Sequence, residues 1–241
     1  MTVIRPHCRL HFTAADVEFI LAAIGRRASD SGALRQLLAD DTSRDQLLDS
    51  PDLCRAVLEG AGCLTISPHL YFYVLVRHAL REAGVESREV ADYVAELLAE
   101  FMWTERTRAR LPGEPQPLDY FYEMLAALPR VDERQAFALR THIGNQALYY
   151  SGLFNERIAQ RARRRGFPDI GYYEGLGEAS FAAASHDRWA LRLGLAEVFA
   201  LLAAGFHRTR LALNDLAERL VSLGDDGSRY DRLLIQARGV S

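Results

Sequence analysis

Ser67-Pro68-His69-Leu70-Tyr71-Phe72-Tyr73-Val74-Leu75-Val76 opens with a helix start signal. A serine can cap an early backbone N–H, and a proline at the first helical position gives up an N–H that would have no partner there. The element it opens runs to near Gly84. Its residues 70–76 are apolar on every side. Any part of it that a core cannot cover would become an interaction surface.

The same punctuation recurs in both directions. Upstream, Ser50-Pro51 starts a short helix ending near Gly60. Thr13-Ala14-Ala15-Asp16 reads as a capping box with Asp in place of Glu, and Val17, Ile20, Leu21 and Ile24 follow it on one buried face. Leu34, Leu37 and Leu38 mark another short helix. Downstream, Ser87 caps a helix with Val90, Tyr93, Val94, Leu97 and Leu98 inward. Further helices are expected over 119–128, over 133–151 behind Asp132, from Asn155 to Gly166, and from Asp169 onward. Asp187 caps the most apolar stretch, 188–206, which is expected to continue toward Leu223. No stretch alternates as a strand would.

These signals predict an all-α fold: an irregular multi-helix bundle of about nine or ten helices around a central apolar helix, 188–206. The chain reads as a single all-helical domain over 1–241. Residues 104–117, with Leu111-Pro112-Gly113-Glu114-Pro115-Gln116-Pro117, cannot continue a helix and form a long loop or a hinge. The ends, 1–11 and 225–241, are expected to be flexible.

Composition excludes more chemistry than it suggests. All 29 basic residues are arginine. Without lysine there is no Schiff-base chemistry, no P-loop lysine and no kinase strand lysine. An arginine-, alanine- and leucine-rich chain fits a GC-rich bacterial genome. The net charge of -3 gives no electrostatic footprint for nucleic acid or an anionic membrane. Arg192 and Glu197 interrupt the most apolar stretch, so a buried helix is expected there and not a membrane span. The start of the chain lacks the pattern of a secretory leader. The three cysteines, Cys8, Cys54 and Cys63, have no CxxC spacing and read as reduced thiols of a cytoplasmic protein.

Five constellations carry potential chemistry. The Glu-x-x-His pairs of a di-iron bundle and the HExxH of a zinc protease are both absent, so no metal site and no cofactor are expected. His7, Cys8 and His11 lie close together, but as the incidental content of a flexible arm. His142, Asn145 and Tyr149 share a helix face at i, i+3, i+7, and Gly144 beside them needs a close helix contact or a ligand. Arg192 and Glu197, if buried, need partners from other helices. These five residues, His142, Asn145, Tyr149, Arg192 and Glu197, form the candidate pocket, with His142 as a general base. Gly175, Gly177 and the small residues near them read as a tight packing face, although Glu174 and Glu178 share a face there. Arg157, Arg161, Arg164 and Arg165 form a candidate anion patch at a helix C-terminus.

Three functions fit these readings. The foremost is binding to a protein partner or to itself, since no catalytic constellation stands out. The second is an enzyme or small-molecule carrier with a pocket inside the bundle. The third, nucleic-acid regulation through the arginine patch, is opposed by the charge balance.

Overall fold

Caps foreseen from single residues hold the helix starts together. Thr13 and Asp16 bond reciprocally, with Thr13 N–H donating to Asp16 Oδ2 at 2.6 Å and Asp16 N–H to Thr13 Oγ1 at 3.2 Å. The other carboxylate oxygen of Asp16 accepts the backbone N–H of Ser67 at 2.6 Å, tying one helix start to the next. Ser67, Ser87, Asp132 and Asp169 each accept an N–H of the turn they precede. Asn155 is the first helical residue and not the cap.

The computed structural model describes residues 3–25, 40–60 and 66–223. Among them are twelve α-helices: α1 (Ala14–Gly25), α2 (Asp41–Leu48), α3 (Pro51–Leu58), α4 (Pro68–Glu82), α5 (Arg88–Phe101), α6 (Phe121–Ala127), α7 (Glu133–Leu153), α8 (Asn155–Arg165), α9 (Ile170–Ser185), α10 (Arg188–Leu193), α11 (Ala196–Ala204) and α12 (Phe206–Leu223). Short 3-10 turns lie at Cys8–His11, Thr104–Thr107 and Leu128–Arg130. The fold is all-α. Among the described residues no helix is long and apolar enough to cross a membrane. The helix expected at 34–38, Cys63 and the segment 225–241 lie outside the described residues.

The stretch 188–206 is not one central helix. Gly194 takes a left-handed conformation, φ +69°, which ends α10. The Leu195 N–H then bonds back to the Ala190 carbonyl at 2.8 Å, and Gly194 N–H to Leu191 at 3.3 Å, the Schellman arrangement. A second break at Gly205 separates α11 from α12. These two breaks account for most of the difference from the expected helix count.

The spine is α7 instead. Of its 21 residues, fifteen are buried. It packs against α9 and α12, while α4 packs against α5 and α12, and α9 against α11. Gly144 and Gly177 let these helices close. A Cβ on Gly144 would lie 3.0 Å from the Phe181 ring, and one on Gly177 would run into the Phe206 ring. The tight-packing reading of the 170–185 helix fits Gly177, Ser180 and Ala184, which are buried, whereas Gly175, Ala179 and Ala183 are exposed. Its Glu174 pairs with Arg210 and with His207 at 2.8 Å, while Glu178 is exposed.

The core covers two segments that the sequence left open. The aromatic run 70–76 lies entirely in the main core, enclosed by α3, α5 and α12. The amino-terminal residues 3–11 are packed as well. Ile4 and Cys8 are buried in that core, and Arg9 N–H bonds to Asp92 Oδ1 at 3.0 Å. After the 3-10 turn Thr104–Thr107, residues 109–118 form a closed loop. Ala109 and Leu118 pair as an isolated antiparallel bridge, and Ala109 and Leu111 bury against Met124, Leu139 and Ile143.

Candidate functional site

A cleft of about 1100 Å³ opens between the amino-terminal segment, the C-terminal half of α5, the 105–112 loop and the first three turns of α7. Trp189 and Leu193 of α10 close one side. Its size lies just above the range of ordinary ligand sites, roughly 300–1,000 Å³.

The candidate pocket residues divide. His142 and Asn145 line the cleft. His142 Nε2 lies 3.1 Å from the Thr107 carbonyl, to which Gln146 also donates, so the neutral imidazole carries its proton on Nε2. Burial pushes the His142 pKa down to about 4, only partly offset by the bond to Thr107. Asn145 Oδ1 accepts the Tyr93 hydroxyl at 2.8 Å in the buried seam between α5 and α7. Tyr149 lies behind the cleft wall. Its ring meets Phe101 edge-on at 5.3 Å, and burial pushes its phenol pKa up.

Arg192 and Glu197 do not join them. Both are exposed. The Gly194 break puts Arg192 in the last turn of α10 and Glu197 in the first turn of α11. There each charge complements a helix end and needs no buried partner. Arg192 also lies over the Trp189 ring, 5.2 Å from its centroid.

The anion patch is a separate face. Arg161 and Arg164 are exposed and Arg157 is half-buried, and none of them lines the cleft. Arg161 stacks over Phe167 at 5.9 Å. The Arg165 side chain lies outside the described residues.

At the edge of the cleft, side chains from three separate elements meet. On α5, Asp92, Glu96 and Glu100 recur every four residues and so share a face. Asp92 is held by Arg9, and Glu100 pairs with Arg106. Glu96, between them, is buried, and its Oε2 makes no hydrogen bond. Burial, then repulsion from Glu100 and Asp92, raises its pKa to about 7. Two imidazoles face it. His69 Nε2, from the first turn of α4, lies 3.6 Å from Glu96 Oε2. The His11 ring lies 4.8 Å from that of His69. Potential ligand atoms of His11, His69 and Glu96 all fall within 4.8 Å of one another. The expected cluster His7–Cys8–His11 is split by the 3-10 turn. His7 and His11 line the cleft, while Cys8 turns into the core and donates its S–H to the His69 carbonyl at 3.2 Å. Burial holds that thiol protonated.

Five arginines also line the cleft: Arg5, Arg106, Arg108, Arg110 and Arg134. Arg106 meets Glu100, Arg108 meets Asp119 at 3.1 Å, and Arg110 meets Glu105 at 3.4 Å. Among the described residues no carboxylate lies within ion-pair distance of Arg5 or Arg134. Arg134 stacks over Trp189 at 5.6 Å, and the buried indole N–H of Trp189 has no acceptor.

No protein-family model, curated protein or solved structure matches the chain.

Proposed function

We propose that this protein is an enzyme or carrier that binds a small molecule bearing a carboxylate or phosphate in the cleft between α5, α7 and the amino-terminal segment. One observation carries the reading: three of the five cleft arginines are neutralised by carboxylates, and Arg5 and Arg134 are not. Each unneutralised guanidinium that lines the cleft offers a forked donor set suited to planar or tetrahedral anions. Trp189, against whose ring Arg134 lies, and Leu193 add apolar surface to the same lining for the rest of the ligand. His142, neutral and fixed by Thr107, and Asn145, fixed by Tyr93, contribute oriented polar edges to the same wall.

This reading is preferred to partner binding or self-association. The aromatic run 70–76, which would have served as an interaction surface wherever the core left it uncovered, is buried within the chain itself.

The test uses Trp189 as its reporter. The chain has two tryptophans, so Trp103→Phe leaves Trp189 alone. Its fluorescence is titrated with a panel of small carboxylates and phosphates. A saturable change is expected with at least one of them, weakened about tenfold by Arg134→Gln, equivalent to about 1.4 kcal/mol. No saturable change, or titrations unaltered in Arg5→Gln and Arg134→Gln, would contradict the proposal.

A further inference from the structure

We infer that His11, His69 and Glu96 form a binding site for a divalent transition-metal ion, zinc or iron(II) in class, at the edge of the cleft. The three come from separate places in the chain: the 3-10 turn Cys8–His11, the start of α4 and the middle of α5. Their potential ligand atoms lie within 4.8 Å of one another, a spread that small side-chain rotations close onto a single ion. Two imidazole nitrogens and one carboxylate oxygen are the donors of open zinc sites and of the two-histidine, one-carboxylate iron sites. Harder ions such as magnesium and calcium take all-oxygen shells and fit this set poorly.

A second observation points the same way. Glu96 is 7 % exposed, and its Oε2 accepts no hydrogen bond. A buried carboxylate oxygen is expected to be paired, because leaving it bare costs its full desolvation. The neighbouring cation, Arg106, is already taken by Glu100, and Arg9 is taken by Asp45 and Asp92. His69 Nε2 comes only to 3.6 Å of that oxygen, beyond hydrogen-bond reach, and a metal ion between Glu96 and the two histidines would bridge the gap. Cys8 cannot compete as a ligand, since its sulfur points at the His69 carbonyl from inside the core. That contact also braces the backbone of a ligand residue, the role outer-shell groups play in metal sites.

His11 and Glu96 both line the cleft, so an ion here keeps coordination positions open toward whatever the cleft holds. The site does not depend on the anion reading. The metal is tested alone, with no organic ligand present, so either proposal can fail without the other.

The experiment is a titration of the metal-free full-length protein with Co²⁺ and with Zn²⁺. It is read by the visible ligand-field absorption of cobalt and by calorimetry for zinc. One ion per chain is expected, with cobalt bands of an intensity typical of low coordination number. Glu96→Gln and His69→Gln should each weaken binding by more than about 100-fold, beyond the 10–100-fold loss caused by removing an outer-shell partner. His11 is exposed, so His11→Gln removes a ligand without touching the core and keeps the test valid should the variant at buried Glu96 or half-buried His69 misfold. His7→Ala should bind as the parent does. Absence of stoichiometric binding by the parent protein would overturn the inference. So would binding unchanged in His11→Gln, or binding that is lost in His7→Ala and retained in Glu96→Gln.

Discussion

The Tyr93 hydroxyl donates a 2.8 Å hydrogen bond to Asn145 Oδ1 across the buried seam between α5 and α7. Tyr93 is fully buried and Asn145 nearly so, so neither can turn to water if the other is lost. Tyr93→Phe leaves the amide oxygen without its donor. The expected cost is about 1–3 kcal/mol, read as a lowered denaturant midpoint with an unchanged slope. Because Asn145 lines the cleft, the same variant should also loosen any ligand held there.

Two glycines on α9 should respond in opposite directions. A Cβ on Gly177 would collide with the Phe206 ring, so Gly177→Ala should destabilise by about 1–3 kcal/mol or more. Gly175, two residues away on the same helix, has nothing within 4 Å of its Cβ position. Gly175→Ala should stabilise by roughly 0.5–1 kcal/mol through helix propensity. Thermal melts of the two variants check both signs.

His142 gives stability a pH dependence of known sign. Its folded-state pKa lies near 4, below the 6.5 of an unfolded chain, so the unfolded state binds the proton more readily between those values. Stability from this residue is complete above about pH 6.5 and is lost as pH falls toward 4, by about 3 kcal/mol in all. Chemical denaturation at several pH values should show a shallower acid loss in His142→Gln. Equal slopes in parent and variant would refute the assignment.

Asp49 gathers three arginines. Arg77 Nε donates to its Oδ1 at 2.9 Å, Arg88 Nη2 to its Oδ2 at 2.6 Å, and Arg81 lies 3.6 Å away. Arg77 is only 3 % exposed. Asp49→Ala leaves that buried cation with the Glu86 carbonyl and the exposed Glu86 carboxylate at 3.9 Å, and should cost on the order of 3 kcal/mol. Burial opposes ionisation of Asp49, yet the arginine bonds win and depress its pKa. Its contribution is therefore present above the ordinary carboxylate pKa and is lost as acid titrates it below that value.

The fold was legible wherever one local signal decides an element. The Thr13–Asp16 box, the serines before Pro68 and before Arg88, and Asp132 all cap helices where expected. The break at Gly194 was not legible from hydrophobicity, because the flanking residues are as apolar as a continuous helix would need. Only a glycine with positive φ and the Leu195–Ala190 bond separate the two cases. Reading 188–206 as one helix grouped Arg192 and Glu197 with His142 and Asn145, whose cleft they do not line. His142 and Asn145 were readable because helical spacing relates them. His11, His69 and Glu96 were not, because three separate elements bring them together and spacing within one helix holds no trace of that. The cleft's arginine pairing is equally a tertiary fact, since Arg108 meets Asp119 only when the 109–118 bridge closes the loop.

Native mass spectrometry of the full chain, after incubation with a pooled set of small carboxylates and phosphates, tests the ligand cleft most directly. One stoichiometric adduct is predicted in the parent protein, and none in the Arg5→Gln, Arg134→Gln double variant. A bare chain in both, or the same adduct in both, would contradict the account.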